Sequence, residues 1–222
     1  MEPVVYVVDD DPQTCRAVAE LVHTFGYQVR LFESPTDFLE SLDESRPGCV
    51  VLDLRLPGLD GMEVHQRLLR RGISLPVVVL TGYADTATTV RSLRNGAVTV
   101  LDKPFRDDEL WSYVQEALQR SEREFRRKRH LSSLEIRLKR LAPQDRSVLQ
   151  LMLSGLKNRS IAKRLDVSLR TVENRRRRVF DVMRADSVAQ LTRMIVEFEH
   201  NLLPLADLEE SWLSLPFEKV AC

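Results

Sequence analysis

The sequence predicts an α/β fold, a doubly wound five-stranded parallel sheet, followed by a second, all-α domain of four helices. Three observations carry that expectation. Short, almost continuously apolar runs alternate with amphipathic helical patterns over the first half, as in a parallel sheet covered on both faces. Beyond Pro143 the apolar periodicity is helical. Charge divides the same way: residues 1–120 hold 12 basic against 19 acidic side chains, net −7, while residues 121–200 hold 20 against 10, net +10. The tail 201–222 is acidic again, at −3. At 222 residues the chain has room for two modest domains, and the charge asymmetry gives them different partners, a polyanion for the basic one.

Val4–Val8, β-branched and aromatic, reads as the first strand and Val29–Phe32 as a weaker second. Cys49–Leu52, Val77–Leu80 and Val98–Leu101 read as the third, fourth and fifth. The helices between them place Val18, Leu21, Val22 and Phe25 inward, then Phe38, Leu39 and Leu42, then Val64, Leu68 and Leu69, then Val90 and Leu93. Ser34 N-caps a helix opened by Pro35, and Asp11 does the same before Pro12. Asp60 is a turn residue ahead of Gly61, and Asn95-Gly96 stops a helix.

The right-handed crossover rule makes such a sheet doubly wound, and ligands of these folds bind beyond the carboxyl ends of the strands. Asp9 and Asp10 follow the first strand, Asp53 the third, Thr81 the fourth and Lys103 the fifth, so distant segments converge at one edge. Clustered carboxylates repel one another and call for a cation, and a lysine beside them suits a visiting dianion such as a phosphoryl group.

Cys15, Cys49 and Cys222 have no metal-type spacing, as expected of a reducing compartment. The start MEPVVYVVDDDP lacks a basic n-region, and no apolar run approaches the ~20 residues of a membrane span, so the expected location is cytoplasmic, with no membrane partner.

Val8-Asp9-Asp10-Asp11, Asp53-Leu54-Arg55-Leu56-Pro57-Gly58-Leu59-Asp60-Gly61, Leu80-Thr81-Gly82, Asn95-Gly96-Ala97 and Asp102-Lys103-Pro104-Phe105 together resemble the receiver domain of bacterial two-component response regulators, a flavodoxin-like fold, over residues 1–120. The resemblance implies that Asp53 accepts a phosphoryl group from a sensor histidine kinase. It implies Mg²⁺ held by Asp10, Asp53 and the backbone carbonyl of Arg55, with Asp9 helping through water, and Thr81 and Lys103 on the phosphoryl oxygens. It also implies a cis Lys103-Pro104 bond. Val100 departs from the family, which has an aromatic side chain there that turns inward on activation. That departure motivates an alternative in which the receiver is a docking module that works without phosphate. An aspartyl-phosphate phosphohydrolase would want a second carboxylate two residues after its nucleophile, where this chain has Arg55, so a dedicated enzyme is not expected.

Residues 106–140 keep a helical pattern, and as one helix they would reach about 50 Å. Leu110, Val114, Ala117 and Leu118 can pack on the sheet, while 121–140 reads as a solvated helical linker with a broken heptad seam. In the expected effector domain, 141–200, Val148, Leu149 and Met152 line a first helix that Gly155 ends. Ile161, Ala162 and Leu165 line a second from Asn158. A turn at Asp166-Val167-Ser168 leads to a third from Leu169, buried through Val172, Val179 and Met183, and a fourth carries Val188, Leu191 and Ile195.

The close second and third helices form a helix-turn-helix. Glu173, Asn174 and Arg177 share the outward face of the third and suit base edges, with Arg170, Arg175 and Arg178 on phosphates; Arg176 turns toward the core as a structural salt bridge. Asn158–Met183, and Ser168-Leu169-Arg170-Thr171-Val172-Glu173 above all, resembles the effector domain of NarL/FixJ, or LuxR-type, transcription factors. Double-stranded DNA as partner and a homodimer on DNA half-sites follow from that resemblance. The tail 201–222, with Leu203, Trp212 and Phe217, is too apolar to stay free and is expected to dock on its own chain or on a second copy.

Overall fold

A computed structural model describes residues 2–82 and 85–202. The chain divides into two compact units between Arg127 and Lys128. In the first, β1 (Val4–Val8), β2 (Gln28–Phe32), β3 (Gly48–Asp53), β4 (Val77–Thr81) and β5 (Thr99–Asp102) form one sheet in the order β2-β1-β3-β4-β5, all pairs parallel. α1 (Pro12–Thr24), α2 (Pro35–Ser41), α3 (Gly61–Arg70), α4 (Thr86–Arg94) and the start of α5 (Asp107–Arg140) alternate with the strands.

β1, β3 and β4 are buried along their whole length, which explains why their sequences run apolar without alternation. Val4, Tyr6, Val50, Leu52, Val77 and Val79 belong to one core and Val5, Val7, Cys49, Val51, Val78 and Leu80 to the other, so consecutive residues feed opposite faces. Asp11 caps α1 by accepting from the backbone N–H groups of Gln13 and Thr14. Ser34 caps α2 by accepting from that of Asp37, and Asp60 is the cap of α3. Lys103-Pro104 is cis.

Four helical residues expected inside lie outside. Phe25 sits just past α1, 47% exposed, and stacks on Trp111 with ring centroids 3.8 Å apart. Leu69 of α3 is 49% exposed, and Val90 and Leu93 of α4 are 42% and 46% exposed. In α4 the buried position is Ser92, whose hydroxyl donates to Met62 Sδ at 3.2 Å, so a small polar side chain takes the inward place. β5 begins one residue later than its apolar run, at Thr99.

The second unit contains α6 (Pro143–Leu153), α7 (Asn158–Arg164), α8 (Leu169–Met183) and α9 (Val188–Leu202). Val148, Leu149, Met152, Ile161, Val172, Val179, Met183, Leu191 and Ile195 are buried in one core. Asp166 takes φ 51° in the turn between α7 and α8, and Ser168 caps α8 by accepting from the backbone N–H of Thr171 at 3.1 Å.

The stretch expected to be linker does not stand apart from either core. Ser121 is buried, and its Oγ accepts from the backbone N–H of Gly48 at 3.0 Å in the first unit. Leu134, Leu138 and Leu141 are buried in the second core, so the distal part of α5 is a structural helix of that unit. The apolar tail lies outside the described residues beyond Leu202. Leu134→Ala is expected to destabilise the second unit by about 2–5 kcal/mol. Amide exchange followed peptide by peptide checks this, with faster exchange in α6 and α8 and none in β1 or β3.

Candidate functional site

The strand order reverses between β1 and β3, and the crevice at such a reversal is where these sheets bind ligands. Register does the positioning. Val8 pairs with Leu52, Asp53 with Leu80 and Thr81 with Asp102, so the residues after these pairs emerge on one edge. Asp9 and Asp53 are buried at 1% and 4% exposure, Thr81 is buried at the end of β4, and Asp10 is exposed. One carboxylate oxygen from each of Asp9, Asp10 and Asp53 lies within 4.8 Å of the others, close enough to share one cation.

Lys103 reaches this group from the end of β5. Its Nζ lies 2.6 Å from Asp9 Oδ2 and 3.0 Å from Asp53 Oδ1. Its backbone N–H donates to the Thr81 carbonyl at 2.7 Å, which ties the β5 end to the β4 end. Burial raises the Asp9 carboxyl above its usual range, against the opposing hydrogen bonds from Lys103 and the Asp11 N–H. Burial alone would lower the Lys103 ammonium, but hydrogen bonds and charge from Asp9 and Asp53 prevail and hold it above its ordinary value.

The loop after β3 is folded tightly against the same carboxylate. The Arg55 N–H donates to Asp53 Oδ2 at 2.8 Å and the Gly61 N–H to the Leu54 carbonyl at 3.0 Å. A Cβ on Gly61 would fall 2.1 Å from the Asp53 carbonyl oxygen, so only glycine fits there without moving the strand end.

In the second unit Arg170, Glu173, Asn174, Arg177 and Arg178 are exposed on α8, and Arg175 is half-buried. The salt bridge expected of Arg176 is made by Arg178, whose Nη1 lies 3.5 Å from Oδ2 of the buried Asp145. Arg176 instead lies over the Phe180 ring, 5.8 Å from its centroid. Asp145 escaped the sequence reading, although it precedes Val148, Leu149 and Met152 by three, four and seven residues and so shares their inward face.

The profile of the response regulator receiver domain matches residues 5–115, and that of the bacterial regulatory proteins of the luxR family matches 139–195. The chain belongs to the two-component response regulators that join a receiver to a LuxR-type DNA-binding domain, and its function is transcriptional regulation. It is 34% identical to the transcriptional regulatory protein FixJ of Bradyrhizobium diazoefficiens over 86% of this chain and 93% of that one. It is 37% identical to nodulation protein W of the same organism over 86% of this chain and 84% of that one. The solved structure of the response regulator StyR superposes with a TM-score of 0.84 at 30% identity, covering 89% of this chain and 100% of that one. The domain content is that of a regulator, and no described helix is long and apolar enough to cross a membrane.

Replacing Lys103 by Met leaves two buried carboxylates without their ammonium and is expected to cost about 3–5 kcal/mol near neutral pH. A raised acid pKa means that the native state binds more protons than the unfolded chain. The deficit is therefore largest above that pKa and shrinks as pH falls through it. Urea midpoints of parent and variant at about pH 8 and about pH 5 check the sign.

Proposed function

We propose that Asp53 is the phosphoacceptor of this regulator and that its phosphorylation by a sensor histidine kinase controls sequence-specific DNA binding through α8. The observation that carries the reading is the grouping of Asp9, Asp10 and Asp53 within 4.8 Å beside the Lys103 ammonium. Such a donor set fits Mg²⁺, which takes few protein carboxylates and keeps several waters. Asp10, Asp53 and the Arg55 carbonyl would hold it, with Asp9 acting through water. When bound it would neutralise the carboxylates and let a phosphate approach them.

The Asp53 carboxylate attacks phosphorus, an O–P bond forms, and the N–P bond of the donor phosphohistidine breaks. The imidazole keeps that electron pair and takes up a proton. Lys103 then has a phosphoryl oxygen to pair with in place of the Asp53 oxygen it holds at 3.0 Å, and the Thr81 hydroxyl supplies a second donor. Exchange of these partners at the β4 and β5 ends biases a two-state surface. Hydrolytic turnover has no support from the position two residues on, since Arg55 brings no carboxylate. Glu173, Asn174 and Arg177 read base edges, Arg170, Arg175 and Arg178 hold phosphates, and two copies bind paired half-sites in the cytoplasm.

With a small-molecule phosphoryl donor and Mg²⁺, intact mass should show one added phosphoryl group on the parent and none on Asp53→Asn or with chelator. The donor should also tighten parent binding to a duplex selected from random sequence. Arg177→Ala should cost about 1–3 kcal/mol of discrimination at one base pair. Equal affinity of parent and Asp53→Asn with and without donor would sink the phosphate-controlled reading in favour of a docking module.

A further inference from the structure

An open groove of about 310 Å³ in the second unit plays no part in the sites above. Arg129, Ser132, Ser133, Ile136, Arg137 and Arg140 form one wall, and Val182 and Arg184 the other. The six α5 residues follow a helical stripe about 16 Å long. No carboxylate lines the groove among the described residues. Three other α5 cations sit beside carboxylates, Arg126 by Glu122, Arg127 by Glu124 and Lys139 by Glu135. Here four guanidinium groups and two hydroxyls, all donors to anions, face one concavity, and Ile136 is 51% exposed among them.

We infer that this groove binds the phosphate backbone of duplex DNA flanking the bases that α8 reads. The inference rests on the DNA-binding role of α8 and extends the contact to α5. Continuity favours this occupant. Arg175, Arg178 and Val182 lie at i, i+3 and i+7 on α8, so the arginine flank of that helix leads into the groove wall. Successive charges on one DNA strand lie about 3.4 Å apart along the axis, so the α5 stripe is long enough to follow several of them. Phosphate contacts made by arginine and serine fix position without reading sequence, so the groove should raise affinity for every duplex alike.

Arg137 also donates to the Met183 carbonyl at 3.1 Å and holds the fold. Arg140 and Arg184 make no side-chain hydrogen bond or ion pair among the described residues, which makes them the clean probes. The full-length Arg140→Gln/Arg184→Gln double variant is compared with the parent by fluorescence anisotropy on the selected duplex and on a random one, over a salt series. Unchanged unfolding midpoints establish that both proteins are folded. The expected result is roughly 10-fold weaker binding to both duplexes, with the slope of log Kd against log salt smaller by about one to two. The ratio between the two duplexes should be unchanged. Trimming the flanks of the selected duplex should weaken the parent and leave the double variant as it was. An unchanged slope and affinity in a parent that binds DNA overturns the groove assignment alone. A parent that binds no duplex removes the DNA reading itself. Tighter binding by the unphosphorylated double variant also overturns the assignment, because the groove would then hold an acidic partner such as the receiver.

Discussion

The arrangement of the first unit depends on one ammonium group. Asp9 and Asp53 emerge from adjacent strands, both almost fully buried, and two such carboxylates cannot both stay charged without a counter-ion. Lys103 supplies it from β5, two strands beyond β3, and can do so only because β3, β4 and β5 are parallel and aligned at their carboxyl ends. One positive charge against Asp9, Asp10 and Asp53 still leaves the pocket negative. In the proposed function the same compromise that permits folding would prepare the site for a metal cation, while an arriving phosphoryl group would offer Lys103 a new partner.

Such an exchange would reach the rest of the unit through the ends of β4 and β5, which the Lys103 N–H and Thr81 carbonyl join at 2.7 Å. The helix after β4 is lightly anchored. Its buried residue is Ser92, while Val90 and Leu93 face outward. Few buried apolar contacts mean a low cost of local displacement, so α4 would be the element best suited to respond if Thr81 changed partner as proposed. Val100 packs against the same core from β5 and carries no hydroxyl or large ring to lock either state.

The strands and the site were legible for a common physical reason. Strands buried on both faces must be apolar throughout, so their ends are sharp in sequence, and the polar residues just beyond them are the ones the sheet brings together. Helix orientation was less legible. Periodicity finds an apolar stripe but not which stripe wins when a small side chain permits closer approach, as Ser92 does against Met62. Leu69 and Phe25 show that an apolar residue need not be inside. The neighbour of a charged side chain was the least legible feature. Arg176 and Arg178 are chemically identical in the sequence, and only the placement of Phe180 and Asp145 distinguishes them. The role of α5 was hidden likewise, because Leu131, Leu134 and Leu138 recur at helical spacing within a run whose charge suggests solvent.

The two units use charge in opposite regimes, and this separates the signal from the output. In the receiver the interacting groups are buried and touching, so ionic strength scarcely screens them and the state of Asp53 is set by chemistry at the site. On α8 and along the distal part of α5 the arginines are largely exposed, so their attraction to a polyanion is long-ranged and salt-dependent. Nonspecific attraction of that kind would act in either phosphorylation state. On the proposed reading control comes from geometry: phosphorylation of Asp53 would add little charge to the basic unit, but by placing two copies in register it would let weak, general contacts act together at one site.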